Sequence, residues 1–362
     1  MTGANRILVV QPSWVGDAVM ATPMLRALRR RFPEARITYL LRRHLKPLYL
    51  GMPWFDRLMT YRTGRATGPR KPRAGKGRNL ALAARLRAGK FDMAVLLPNS
   101  FHAALVCRLA GIERIVGYDR DGRGMLLTDR LLPYRAEGRF VPTPMIKSYM
   151  GLATYLGARP DGPRMELFAT DADRREAADV LARLNLPPDL DRPGHAGQPP
   201  MVILNVGANF GAAKCWLPEN FAAVGDDLHR RMGAHVLVSG SPKERPIVDA
   251  VLGHMAAPGH DLSRAGMTLG GLKDIVRRCD LMVTNDTGPR HIAAAFETPV
   301  VTVFGPTHPD WTTIWFDKER QVSVPVFCGP CQKKICPLDH RCMTRVTPNM
   351  VLDECADLLG QA

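Results

Sequence analysis

Three turns, each just after an apolar run, hold the side chains of this chain best suited to chemistry. RILVVQ (6–11) leads into PSWVGD, whose one carboxylate is Asp17. MVILNV (201–206) leads into GANFGAAKCW, whose one cation is Lys214. LMVTN (281–285) leads into DTGPRHIAAA, with Asp286, Thr287, Gly288 and His291. Pro289 suits the first position of a helix, and the amides of a first turn lack intrahelical partners at the positive end of the helix dipole. Gly288 lets backbone approach a phosphate, Thr287 offers a further donor, and His291 follows within the first turn. A capped helix that binds nothing would look the same. The small residues around Lys214 suit a diphosphate, although a lone loop lysine can also be a solvated charge. Glu244, in SGSPKER (239–245), is placed to accept from ribose or sugar hydroxyls, or is simply an acid favoured at a helix start. Asp17 has the same two roles open to it, helix cap or base.

A fourth cluster is of another kind. CGPCQKKICPLDHRC carries Cys328, Cys331, Cys336 and Cys342, with His340 between the last two. The spacing is that of a metal knuckle, with Cys₄ or Cys₃His zinc first and an iron–sulfur cluster second; four free thiols are the alternative. Bound metal would staple the loop and take no part in catalysis. Cys107, Cys215, Cys279 and Cys355 are scattered and expected to be ordinary buried or half-buried side chains.

The elements that must carry these turns alternate. Strands are expected at RILVVQ, ARITYLL, FDMAVLLPN, RIVGYD, MVILNVGA, AHVLVSGS, LMVTND and PVVTVFGP. Helices are expected over Asp17 to Phe32, HLKPLYLGM, NLALAARLRAG, SFHAALVCRLAG and TDADRREAADVLARLNL, and near 218–232, 242–255, 270–279 and 289–297. Such alternation predicts parallel sheets covered on both faces, and 362 residues with a Pro-rich break at PPDLDRPGHAGQPP predict two doubly wound α/β domains facing across a cleft. Ligands of such sheets sit outside the carboxyl ends of the strands, where the three turns fall.

Charge and composition narrow the class. The net charge is +16, and residues 57–90 hold eleven Lys or Arg and no acid. The Gly- and Pro-rich centre of that stretch predicts a loop that seeks polyanions: nucleic acid, anionic lipid or a phosphorylated saccharide. Tyr61 is its one aromatic, which argues against stacking of single-stranded bases. No apolar run reaches the roughly 20 residues of a membrane span, and the N-terminus has no signal-peptide pattern, so a cytoplasmic protein is expected. A Walker loop, a G-x-G-x-x-G after the first strand and a G-x-S-x-G elbow are all missing.

Together, S-x-x-G-D with Pro23 (Ser13, Gly16, Asp17), the loop ending at Lys214 and Trp216, and T-N-D-T-G-x-x-H (Thr284 to His291) resemble the bacterial ADP-heptose:lipopolysaccharide heptosyltransferases of glycosyltransferase family 9. PSWVGD, LLPNSF (96–101) and the GP-x-x-PD of 305–310 are similar to its heptosyltransferase II branch. Two features depart: Cys-Trp-Leu-Pro after Lys214, where the family commonly has Trp-Pro, and the basic insertion near 62–79.

The resemblance implies a GT-B fold, with acceptor on residues 1–168 and nucleotide sugar on 169–362. It implies inverting transfer of L-glycero-D-manno-heptose from ADP-heptose to the first heptose of the lipopolysaccharide inner core, on the inner face of the inner membrane. Asp17 then matches the general base, and Lys214, Asp286, Thr287, Gly288, His291 and, more loosely, Glu244 match the donor site. Ser13, Asn99 and Ser100 fall on the acceptor side. No cofactor is implied for catalysis; the structural Zn is an expectation of the cysteine spacing alone. The partners are ADP-heptose, a lipid-linked core acceptor and an anionic membrane surface, not nucleic acid. A carboxylate near a helix start is a weak base, so proton transfer to Asp17 would come late. Another nucleotide sugar, an epimerase, or a basic nucleic-acid-binding protein are the competing functions.

Overall fold

The structure, a computed structural model, describes residues 4–61, 76–187 and 199–360. The chain divides into two compact units, Met1–Pro163 and Arg164–Ala362. The first is built on six strands, β1 (Arg6–Val10), β2 (Arg36–Arg42), β3 (Arg57–Tyr61), β4 (Met93–Leu96), β5 (Arg114–Tyr118) and β6 (Asp129–Leu131). They pair in parallel in the order β3-β2-β1-β4-β5-β6. A small antiparallel hairpin follows, β7 (Arg135–Ala136) with β8 (Arg139–Phe140). The second unit repeats the plan with β9 (Met201–Asn205), β10 (His235–Ser239), β11 (Gly259–Asp261), β12 (Leu281–Asn285), β13 (Val300–Val303) and β14 (Glu319–Val322). Their order is β11-β10-β9-β12-β13-β14, again parallel throughout.

The expected doubly wound units are therefore present, for the expected reason. Strands β4, β9, β12 and β13 are buried at every residue, because helices cover both faces of each sheet. The helices are amphipathic to match. Thr22–Arg31 buries Met24, Leu25 and Leu28 and ends in Arg29, Arg30 and Arg31, a sequence suited to the negative end of its dipole. TDAD opens the helix Asp171–Arg183 with a capping box: the Thr170 hydroxyl accepts from Asp173 N at 3.2 Å, and Asp173 Oδ2 accepts from Thr170 N at 2.8 Å.

Some expectations need correction. The helix drawn over Asp17 to Phe32 is two, Val15–Met20 and Thr22–Arg31, because Pro23 has no N–H to continue the first and is well placed to start the second. The helix expected at NLALAARLRAG is present and starts three residues earlier, Lys76–Arg87, while β3 opens the basic stretch 57–90. Its centre, 62–75, lies outside the described residues, as does most of the Pro-rich break, 188–198. Neither hairpin strand was expected, nor were four strands of the two large sheets, β3, β6, β11 and β14, and these four are the edges of those sheets.

Each strand order reverses direction once, between β1 and β4 and between β9 and β12. The loops that leave these strands at their carboxyl ends diverge there and leave room for a ligand.

Candidate active site

In the second unit, the loops after β9 and β12 meet across that reversal. Asn285, the last residue of β12, ties them: its Nδ2 donates to Val206 O at 2.9 Å and Gly207 O at 3.3 Å, and its Oδ1 accepts from Trp216 N at 2.9 Å. Trp216 is buried against Phe221 and donates from Nε1 to Val346 O at 2.9 Å, so the far end of the loop is anchored in the core.

Between these anchors, Lys214 closes a 3-10 turn, Ala212–Lys214. Its Nζ donates to Asp286 Oδ2 at 2.6 Å and to Asp286 O at 2.9 Å, with the Phe210 ring 5.1 Å away. The lysine is thus not the flexible, solvated cation its small-residue loop suggested. Asp286 is buried and also accepts from Thr307 at 2.8 Å, Arg290 at 3.3 Å and Thr312 at 3.4 Å. Burial alone would raise its pKa; the charges of Lys214 and Arg290 reverse that and hold it at about 2. Arg290, fully buried, is gripped in turn by both carboxylate oxygens of Glu319 on β14, the second bond at 2.9 Å.

The turn of 286–288 separates two kinds of residue. Thr287, Gly288 and Pro289 remain partly open, whereas Asp286, Arg290 and His291 are buried. The helix Gly288–Ala295 starts here with Thr287 as N-cap, and the Thr287 side chain makes no cap bond. Among the described residues, His291 Nδ1 finds no hydrogen-bond partner. Burial, then the nearby charges of Arg290 and Lys214, hold the imidazole pKa at about 3, so His291 is neutral near pH 7. Glu244 joins the same edge from β10. It is the N-cap residue of Arg245–His254, its Oε2 accepts from Ser241 N at 2.8 Å, and its carboxylate presses on Gly207, where any Cβ would collide with it.

In the first unit, Ser13 and Asp17 follow β1 and Asn99 and Ser100 follow β4, so all four lie on the carboxyl edge beside the reversal. Asp17 sits in the first turn of Val15–Met20, partly exposed; the N-cap there is Trp14, with no side-chain cap bond. Beneath the turn, Tyr49 and Tyr149 are buried phenols held in the neutral form chiefly by burial, with the charge of Asp17 adding to it. Tyr49 donates to Gln11 Oε1 at 3.0 Å. Ser100 is the N-cap of Phe101–Leu109, accepting from Ala103 N at 3.4 Å, and Asn99 Oδ1 accepts from the buried Arg123 at 3.1 Å. The structure thus gives both of these residues supporting bonds within their own unit.

The cysteines of 328–342 are free thiols around one cavity of about 120 Å³. Among the described residues, no set of three or more His, Cys, Asp or Glu is arranged as a ligand sphere for a metal ion. His340 lines the same cavity, and its Nε2 is engaged with Ala213 O at 2.8 Å. Cys107, Cys279 and Cys355 are buried and Cys215 half-buried.

Sequence reading missed Arg290, Glu319, Thr307 and Thr312. Only the Asp286–Arg290 spacing of four on a helix start was there to be read; the others come from distant strands and loops.

Comparison with known proteins gives these features a setting. The family model described as glycosyltransferase family 9 (heptosyltransferase) matches residues 79–342. Lipopolysaccharide heptosyltransferase 2 of Escherichia coli K12 is 30% identical over 365 residues, covering 98% of this chain and 99% of its own. The solved structure of E. coli ADP-heptose lipopolysaccharide heptosyltransferase II superposes with a TM-score of 0.78 at 26% identity, covering 98% of this chain and 99% of that one. E. coli heptosyltransferase WaaC with ADP shares the fold, at a TM-score of 0.70 and 17% identity over 98% of this chain and 99% of that one.

Proposed function

The chain belongs to glycosyltransferase family 9, the heptosyltransferases, and on that premise we propose how its residues perform the transfer. It is a glycosyltransferase that adds a heptose to the lipopolysaccharide inner core. We take the donor to be ADP-heptose and the acceptor to be the first heptose of the core. The observation that carries this assignment is the Lys214 ammonium, fixed by Asp286 at the start of the helix Gly288–Ala295. Two of its three N–H groups are held by Asp286, which leaves one for a phosphate oxygen.

In the proposed reaction, the acceptor hydroxyl oxygen attacks the anomeric carbon of the donor heptose from the face opposite the ADP. The bond to the β-phosphate oxygen breaks, and ADP departs with the electron pair. The hydroxyl proton passes to Asp17. Lys214 and the first-turn amides offset the charge that grows on the diphosphate, and because these dipoles and charges are already oriented, little reorganisation accompanies the step. Asp286 is assigned to positioning: its oxygens are committed to Lys214, Arg290, Thr307 and Thr312, so it orients the cation and does not meet the anion. Glu244 is assigned to the hydroxyls of the nucleotide or sugar, and Ser13 to the acceptor.

Purified enzyme incubated with ADP-heptose and a heptose-I-terminated core should yield ADP and a core one heptose larger, with inversion at the anomeric carbon. Transfer from UDP- or GDP-sugars in place of ADP-heptose would overturn the donor assignment.

We further propose that the enzyme works on the inner face of an anionic membrane. No helix among the described residues is long and apolar enough to cross one. Attachment would be electrostatic, with Lys and Arg near the surface each contributing about 1 kcal/mol within a Debye length. The segment around the β7–β8 hairpin exposes Met125, Leu132 and Tyr134 together with Arg130, Arg135 and Arg139. Neutralising Arg70, Lys71, Arg73 and Lys76 should weaken sedimentation with anionic vesicles at low salt and raise KM for lipid-linked acceptor only. Unchanged sedimentation would make the loop a solvated insertion.

A further inference from the structure

Lys334 belongs to residues 323–340, a segment with neither helix nor strand that joins β14 to the helix Arg341–Thr344. A stretch of this length without regular structure is uncommon in a compact domain unless it serves a function. Its backbone is nonetheless held against the Lys214 loop. Gln332 N donates to Pro306 O at 2.8 Å, one residue before Thr307, which holds Asp286. Lys334 O accepts from Ala213 N at 3.0 Å, and the Ala213 carbonyl is engaged with His340 Nε2 at 2.8 Å. Ala213 is thus bonded to the segment through both its N–H and its carbonyl. Gly211 approaches Lys334 so closely that a Cβ on it would collide with the Lys334 carbonyl and side chain.

From this anchored backbone the Lys334 side chain reaches the neighbourhood of Lys214. Lys334 Nζ lies 5.9 Å from the centroid of the Phe210 ring, and Lys214 Nζ lies 5.1 Å from the same centroid. Two ammoniums therefore share one aromatic ring. They differ in what else they meet. Lys214 is largely buried and paired with Asp286. Lys334 is exposed, and among the described residues its ammonium has neither a carboxylate nor a hydrogen-bond partner.

The balance of charge shows what the second ammonium adds. In the buried network Lys214 and Arg290 face Asp286 and Glu319, two cations against two carboxylates. That network orients Lys214 but brings no net charge to a diphosphate beside it, and the helix-start amides contribute dipoles only. Negative charge grows on the β-phosphate as ADP departs, so a cation with no counter-charge of its own has work to do there. Two like charges at one ring also repel, and an anion between them relieves that repulsion.

We propose that Lys334 is a second cation for the donor diphosphate: its ammonium pairs with phosphate oxygens alongside Lys214 and supplies the net positive charge that the Asp286 network lacks. This rests on the assignment of Lys214 to the diphosphate. The contact involves no proton transfer, and it strengthens as the bond to the anomeric carbon breaks. A point charge on a flexible stem suits a group that must follow the departing diphosphate.

The test is calorimetric titration of ADP into the full chain at low salt. Lys334→Ala should bind ADP and ADP-heptose about tenfold more weakly, and kcat at saturating ADP-heptose should fall as well. Lys334→Arg, which keeps the charge, should restore most of both. Lys333→Ala removes the adjacent exposed lysine, which lines the cysteine cavity, and should bind ADP as the wild type does. The contribution of the exposed Lys334 should shrink as salt rises, whereas that of the largely buried Lys214 should persist. Unchanged ADP affinity in Lys334→Ala, with Lys214→Ala weakened, would overturn this inference and leave the diphosphate assignment standing. Unchanged affinity in both variants would overturn the assignment and this inference with it. Equal losses in Lys333→Ala and Lys334→Ala would also overturn it, because they would mark a general effect of positive charge in the segment.

Discussion

The two units share one strand order and reverse it at the same point, but they equip that point in opposite ways. In the second unit the charges are buried and bound to one another: Lys214 and Arg290 share Asp286, and Arg290 is held again by Glu319. In the first, Asp17 is partly exposed above the buried phenols of Tyr49 and Tyr149. A site for a leaving diphosphate gains from charges that cannot relax, and ion pairs supply that rigidity. A base that must take a proton from an incoming hydroxyl needs an accessible oxygen. In the proposed reaction the same fold accommodates both because the difference lies in the loops.

This contrast can be broken most sharply at Asp286. Changing Asp286→Asn leaves Lys214 and Arg290 without their shared counter-charge, and removal of one member of a buried pair costs about 3–5 kcal/mol. Denaturant unfolding should show a loss of that order, whereas Asp17→Asn, at a partly exposed position, should stay within about 1 kcal/mol. Equal losses would mean that the two acids are equally embedded.

Turnover reverses the ranking. Asp17→Asn should lower kcat by about 10²-fold or more, roughly 2.7 kcal/mol in the barrier, with ADP affinity kept. Near-normal turnover would reduce Asp17 to a helix-end acid.

The pH dependence of stability probes the same burial. His291 has its folded pKa depressed to about 3, well below the 6.5 of an ordinary histidine. Its stabilising contribution is whole above pH 6.5 and is lost as pH falls toward 3, because only the unfolded chain takes up the proton. Between pH 6.5 and 5 the wild type should lose about 1.6 kcal/mol relative to His291→Gln, which cannot charge. Asp286, with a pKa of about 2, keeps its contribution down to the ordinary carboxylate range and loses it only below that. Parallel pH profiles of wild type and His291→Gln, measured by denaturant midpoint, would contradict a buried neutral imidazole.

The smallest effect is expected at Lys214→Ala. ADP and ADP-heptose should both bind about tenfold more weakly, near 1.4 kcal/mol, since both present the diphosphate. A calorimetric titration with unchanged ADP affinity would leave Lys214 as a partner of Asp286 and nothing more.

How much of this could be read beforehand follows from burial. The buried central strands RILVV, MAVL, MVILN and LMVTN each carry an apolar run of three residues or more, and were placed from sequence. The four edge strands are short and half-exposed, and RLMTY, DRL, GHD and ERQV carry no such run. Their pairing is decided by the neighbour already in the sheet, which is information their own residues do not contain.

For the site, the sequence by itself determined which turns follow which strands, and so which residues reach the carboxyl edges: Asp17, Lys214, Glu244 and Asp286. It did so because strand, turn and helix start are local, fixed by apolar periodicity, Gly, Pro and capping residues within a few positions. Only the tertiary structure decided that Lys214 and Asp286, 72 residues apart, form one ion pair, and that Glu319 reaches Arg290 from 29 residues away. It also decided that the cysteine segment leans on Ala213, 127 residues from His340. These contacts depend on strand order, and strand order is set by which faces and edges the whole sheet leaves to be covered. A charged side chain has one appearance in sequence whether it meets water or a buried partner; the packing around it makes the difference.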